Sequence, residues 1–259
     1  MPRLRRPSPF RAVVLIVAGA YFLIPLYAAV RFCLRSASGG LSFEAITGIP
    51  HQEGFASAFE LSLRLALVTT LITLVLIVPT AVVVHLRLPR LRRLLDGITI
   101  LPIVIPPVVL IVGVLEVAPT TLKATSYLLA LEYVVLAMPL AYRAIDAGLR
   151  ALDLRTLVEA SRSLGSSWPT TLWRVLLPNL RTAMLSATVL TVALVLGEYT
   201  LATLDQYQTF PVWIVAFDQD NAQTSVAASL MALLVTWLIL LAISALGTRR
   251  SRNRREVSV

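Results

Sequence analysis

An all-α integral membrane protein with six spanning helices is the fold class this sequence predicts, on three observations. Apolar residues make up 57% of the 259 residues and charged ones only 14%, with mean hydropathy +0.80. A soluble domain is typically about half apolar. The apolar residues are gathered into runs of membrane length, and the basic residues fall almost entirely on alternate connections between those runs.

A hydrocarbon core of about 30 Å needs about 20 helical residues. Six stretches meet that length: 13–32, 61–84, 98–117, 122–141, 184–203 and 226–246. The first follows a basic start and ends near Ala28-Ala29, as a secretory signal does. Its apolar run of about 20 residues exceeds the roughly 7–15 of a signal core, so it is expected to be retained. Cys33, the single cysteine, excludes an intramolecular disulfide and a cysteine metal cage. The third and fourth stretches are separated only by Ala118-Pro119-Thr120-Thr121 and contain Pro102, Pro106, Pro107 and Pro139. Proline is tolerated at membrane depth where neighbouring helices re-satisfy the freed carbonyls. The expected organisation is a basic segment, first span and external loop over 1–58, a transmembrane domain over 59–247, and a basic tail over 248–259.

The basic residues orient this array. Arg3, Arg5, Arg6 and Arg11 precede the first span, and Arg87, Arg90, Arg92 and Arg93 lie between the second and third. Arg143, Arg150, Arg155, Arg162, Arg174 and Arg181 lie between the fourth span and the foot of the fifth, and Arg249, Arg250, Arg252, Arg254 and Arg255 fill the tail. Of the 23 Lys and Arg, only Arg31, Arg35, Arg64 and Lys123 fall on the other side. The positive-inside rule therefore places both termini in the cytoplasm. The net charge of +9 is topological, and dispersal over four segments argues against nucleic-acid binding.

The long cytoplasmic connection, 143–178, carries helix signals throughout. Thr156-Leu157-Val158-Glu159 reads as a capping box, with the threonine as N-cap and the glutamate reaching back to the cap amide. Leu157, Ala160, Ser161 and Leu164 then share one helical face, and Gly165 is placed to stop the helix. Ser166 or Ser167 begins a second short helix with Pro169 in its first turn, and Pro178 is expected to end it. The result is a helix–glycine–helix elbow. Glu159 is read either as a helix cap alone or as a docking contact built on the same geometry.

This segment, Glu159-Ala160-Ser161 with Gly165, Val175 and Leu177-Pro178, resembles the EAA loop of bacterial ABC-importer permeases. Leu101-Pro102-Ile103-Val104-Ile105-Pro106-Pro107 resembles their proline-rich third span, and Leu196-Gly197-Glu198-Tyr199-Thr200 their Gly-Glu-aromatic segment. The similarity spans about 59–247. It implies the MetI-like fold of a binding-protein-dependent permease in a bacterial inner membrane. Implied partners are a dimer of ATPase subunits that bind ATP and Mg, a second permease, identical or homologous, and an extracytoplasmic solute-binding protein. No cofactor is expected in this chain. Docking is assigned by the resemblance to Glu159, Ala160, Ser161, Leu164, Gly165, Leu177 and Pro178. Ser161 stands where the family has a second alanine and Val175 where it has isoleucine. The segment Thr209-Phe210-Pro211-Val212-Trp213 is most similar to spermidine/putrescine-type members.

Candidate pathway residues are Glu198, Tyr199, Glu132 and Asp205. An ionisable side chain at membrane depth costs about 2.5–3.5 kcal/mol on insertion scales and normally faces a bundle interior or water. These acids, with Asp218 and Asp220 beyond them, favour a cationic, polyamine-like solute. The alternative is structural: neutralised carboxyls hydrogen-bonded to neighbouring helices.

Enzyme signals are almost absent. His51 and His85 cannot pair as nucleophile and base at membrane depth, and there is neither a His-Glu-x-x-His helix nor a phosphate loop. ATP hydrolysis must then come from another chain. The rival readings are an ion-coupled secondary transporter, which would be expected to show internal repeats, and, more distantly, an intramembrane hydrolase.

Overall fold

A computed structural model describes residues 9–35, 40–123, 125–218 and 221–256. Arg3, Arg5, Arg6 and Asp220 lie outside the described residues, as do the side chains of Asp218 and the tail arginines. The chain divides into one unit of Met1–Phe55 with Ile214–Leu234 and another of Ala56–Trp213 with Val235–Val259.

In the first unit, helix α1 (Pro9–Cys33) exposes almost every side chain it presents, as a helix bathed in lipid does. Its C-terminal end is tied to the start of the last helix. The Gln223 side-chain amide donates to the carbonyls of Cys33 at 3.0 Å and Arg35 at 2.6 Å. The Ser225 hydroxyl donates to Ile214 O at 3.1 Å.

The second unit is built on three long helices: α2 (Phe55–Arg87), a helix over Ser126–Arg150 and one over Trp168–Gly197. Two apolar clusters hold them. One joins Ile77, Ala81 and Val82 to Tyr142, Ile145, Leu149, Leu176 and Leu180 near the elbow. The other joins Leu65 and Ala66 to Ile111, Leu129, Tyr133, Val195 and Leu201. The Ser126–Arg150 and Trp168–Gly197 helices approach so closely that a Cβ at Gly148 would collide with that of Ala183. Small residues at such crossings let backbones pack where apolar burial gives no advantage over lipid.

The expected third span, 98–117, is not one helix. After α2 come α3 (Leu91–Ile98), α4 (Leu101–Val104) and α5 (Pro107–Val117), and the chain direction turns by 102° between Leu91–Val104 and Pro107–Val117. The tandem prolines are the cause. A residue before proline is driven out of the helical region, so Ile105 (φ −75°, ψ 124°) and Pro106 (φ −57°, ψ 136°) are both extended. Pro107 then restarts a helix at the position proline favours.

Other boundaries move as well. The fourth span, expected at 122–141, is α6 (Ser126–Arg150), preceded by a separate turn at Thr120–Lys123. The stretch 143–178 is therefore not an extended loop: Arg143–Arg150 continues α6, and only short links separate the helices beyond it. The fifth span, expected at 184–203, is α8 (Trp168–Gly197), which follows α7 (Leu154–Ser163) and stops at Glu198. It is succeeded by α9 (Thr200–Leu204), α10 (Phe210–Asp218) and α11 (Ala222–Glu256). Among the described residues, five helices are long and apolar enough to cross a membrane, or six if the bent third span counts as one.

Candidate functional site

The elbow is made by α7 and the first turns of α8. The N-cap of α7 is Asp153, not Thr156: its carboxylate accepts the Thr156 amide at 3.3 Å and the Thr156 hydroxyl at 2.8 Å. Those donors hold the Asp153 carboxyl below its ordinary range, chiefly through the Thr156 hydroxyl. Glu159 thus sits in mid-helix on the exposed face, out of reach of the cap. Packing, not the cap, sets which side of the helix is buried. Leu154, Val158 and Ser161 face the apolar cluster, whereas Ala160 and Leu164, the latter 87% exposed, face outward. The expected common face of Leu157, Ala160, Ser161 and Leu164 is split accordingly.

Gly165 stops α7 as expected, with φ +80°. Its amide donates to Arg162 O at 2.9 Å, and the Ser166 amide donates to Ser161 O at 3.2 Å. This pair of bonds is the Schellman arrangement. Ser167 occupies the N-cap position of the next turn, its hydroxyl 2.9 Å from that of Thr170, and Pro169 lies in that turn. The Ser161 and Thr171 hydroxyls meet at 3.0 Å in a buried contact, and Thr171 donates to Ser167 O at 3.1 Å. Ser161, which stands where the resembling family has a second alanine, is therefore a tie between the two arms.

Pro178 does not end the second arm. A proline inside a helix lacks an N–H and clashes with the carbonyl four residues back. Here the turn Leu172–Leu176 widens to a π-helix, with the Leu177 amide donating to Leu172 O, and the helix runs on. The Asn179 side chain donates to Val175 O at 2.7 Å, satisfying a carbonyl beside the distortion. Leu177 and Pro178 are half-buried in a continuous helix, and Trp173, which sequence reading passed over, is 70% exposed on this arm. A groove of about 330 Å³ beside α7 is lined by Arg87, Arg155, Glu159, Arg162 and Trp168, with the Arg87 guanidinium 5.2 Å over the Trp168 ring.

A second feature had no sequence signal. Asp146, in the C-terminal part of α6, has its carboxylate surrounded by His85, Arg92 and Arg150 at 2.6–3.1 Å. Only Arg150, four residues along the same helix, is a neighbour that spacing could have found.

The structure brings Glu132, Glu198 and Asp205 together, with Tyr133 beside them. Glu132 is 1% exposed, and neither of its carboxyl oxygens has a hydrogen-bond partner of good geometry among the described residues. Glu198 has a definite local task. Where α8 stops, its carboxylate accepts the amides of Leu201 at 2.8 Å and Ala202 at 3.3 Å, capping α9. Tyr199 occupies the N-cap position of that helix and is partly exposed.

A family model described as a binding-protein-dependent transport system inner membrane component matches residues 77–255. The molybdenum transport system permease protein ModB of Mycobacterium bovis is 29% identical over 208 residues, covering 73% of this chain and 78% of the relative. A probable molybdenum ABC transporter permease protein of Haloferax volcanii is 28% identical over 259 residues, covering 93% and 92%. In structure, the chain is similar to a bacterial ABC transporter involved in the import of the acidic polysaccharide alginate. The TM-score is 0.70 at 15% identity, covering 92% of this chain and 94% of that one. A second structure, of a bacterial alginate ABC transporter in complex with an alginate pentasaccharide-bound periplasmic protein, gives TM-score 0.67 at 15% identity, covering 93% of each chain. At that identity the two structures establish likeness of fold.

Proposed function

Because this chain belongs to the family of binding-protein-dependent transport system inner membrane components, we propose that it forms part of an ATP-driven translocation path and takes its motion from a separate ATPase through the α7–α8 elbow. The chain is a permease subunit of an ABC importer and not an enzyme. The observation that carries the docking role is the elbow geometry. Leu154, Val158 and Ser161 anchor α7 inward, Gly165 sets its end, and Glu159, Ala160 and Leu164 are presented outward. Leu177 and Pro178, inside α8, would carry the movement into the membrane rather than make the contact.

ATP and Mg belong on this reading to the ATPase pair, and a second permease completes the path. An external binding protein delivers the solute, which the periplasmic protein bound to one of the alginate transporters supports. Six spans, with the bent pair counted as one, and cytoplasmic termini agree with the distribution of arginine.

For the solute, the relatives named above carry molybdenum in their names, and the spermidine/putrescine expectation finds no support among them. We infer a tetrahedral oxyanion of the molybdate type. The acidic residues that favoured a cation do not oppose this. Glu132 is closed off from solvent and Glu198 is occupied by helix capping, so neither presents a free carboxylate to a solute in this conformation.

The test is uptake of labelled molybdate by proteoliposomes holding the permease, its cognate ATPase and its binding protein. ATP-dependent accumulation is expected. Accumulation driven by an ion gradient without the ATPase would overturn the importer mechanism. A binding protein that takes only polyamines would overturn the oxyanion alone.

A further inference from the structure

We propose that Asp146 is a positioning residue for transport, tying the inner end of α2, the amphipathic helix α3 and the extension of α6 into one lever that carries elbow motion to the bent third span. The inference rests on the importer reading above.

The geometry is specific. Asp146 is 6% exposed. Its Oδ1 accepts from Arg92 Nε at 3.1 Å, and Arg92's terminal nitrogen lies 3.0 Å away. His85 Nε2 lies 3.1 Å from the same oxygen, and Arg150 stands 2.6 Å from Oδ2. His85 is held from its other side, where Nδ1 lies 2.9 Å from Ala81 O. Three helices thus bring basic side chains to one carboxylate, with the Arg92 Nε–H as the donor aligned for a hydrogen bond and the others at ion-pair distance.

Arg92 is the arm that matters for motion. Helix α3 buries none of its own residues, so packing alone fixes it weakly. Directly beyond α3 lie α4 and the 102° bend into α5. On the other side, Asp146 shares a continuous helix with Leu149, whose cluster includes Leu154 of α7 and, partly buried, Val158 and Trp168. The Arg87–Trp168 contact joins α2 to the elbow two residues beyond His85. A push on α7 therefore reaches Asp146 through rigid helix and packed apolar side chains. It can reach α3 through the Arg92 guanidinium, whose Nε–H donates to Oδ1 while a terminal nitrogen lies 3.0 Å from the same oxygen. Buried ion pairs are poor sources of net stability, because desolvation opposes the attraction, and their best-attested use is fixing one arrangement against others.

The experiment uses the complete importer in proteoliposomes, with molybdate uptake and ATP hydrolysis measured together. Arg92→Gln keeps hydrogen-bond donors but removes the charge, and Arg92 is partly exposed, so the complex is expected to assemble. Uptake per ATP should fall at least five-fold while ATP hydrolysis stays within two-fold. Arg92→Lys, which restores the charge without the Nε–H donor, should recover part of the ratio. Asp146→Asn should show the same uncoupling or a larger one. Wild-type uptake per ATP in Arg92→Gln would overturn the lever. So would a proportional fall of uptake and hydrolysis, or loss of assembly, since each marks a purely structural role. Absence of ATP-driven uptake in the wild-type complex would overturn the importer reading, and the lever with it.

Discussion

Ser161 and Thr171 join the two arms of the elbow through a buried hydroxyl pair at 3.0 Å, ten residues apart across the Gly165 turn. Because Thr171 keeps its own bond to Ser167 O, removing the partner leaves no buried donor stranded. Ser161→Ala should therefore cost only about 1 kcal/mol, the net worth of one such bond. Thermal unfolding of the purified permease should register that loss, with transport nearly unchanged. Ser161→Leu should be far worse, because the site is buried and an added side chain overpacks it.

At Gly165 the constraint is backbone conformation rather than space: φ is +80° and a Cβ would meet nothing within 4 Å. Left-handed backbone costs most L-residues about 1–2 kcal/mol, and asparagine tolerates it best. Loss of coupling, measured as uptake per ATP, should rise in the order Gly165→Asn, Gly165→Ala, Gly165→Val. Equal effects of all three would show that side-chain contact, not backbone geometry, governs the position.

The Asp153 cap should be acid-sensitive. The Thr156 hydroxyl and amide lower its folded-state pKa, so its contribution is fully present above the ordinary carboxylate range. It is lost as pH falls through the lowered value. Hydrogen-exchange protection of the Thr156 and Leu157 amides should accordingly drop on acidification. Asp153→Asn should lose most of that pH dependence.

The two membrane glutamates should respond differently to the same substitution. Glu132→Gln replaces a buried carboxyl that has no hydrogen-bond partner of good geometry among the described residues with a neutral amide of the same shape, so thermal stability should hold or rise, with uptake within two-fold of wild type. Glu198→Gln puts an amide where a carboxylate accepts two backbone N–H groups, so it should lower stability and fray α9. A several-fold loss of uptake in an intact, stable Glu132→Gln complex would put that carboxyl on the solute path.

The features legible in the sequence were local in origin. Apolar runs marked the long helices, and Gly165 announced a left-handed stop because only its own backbone was at issue. Glu159, Ala160 and Leu164 could be assigned to the elbow from their order along the chain. The tertiary structure decided where several rules competed. Both Asp153 and Thr156 are competent caps, and the folded chain uses Asp153; separately, packing of Leu154 against the Ile145–Leu149 cluster turns Ser161 inward and leaves Leu164 outward. Pro178 had the chemistry of a terminator, but a π turn absorbed it within a helix held by packing at Leu176 and Leu180. The Pro106-Pro107 break was present in the sequence, yet the 102° bend became visible only with the direction of both segments. Asp146, His85 and Arg92 lie beyond any periodicity. Arg92 is 54 residues from its partner, and a charge pair at that separation exists only once the helices bearing it have packed.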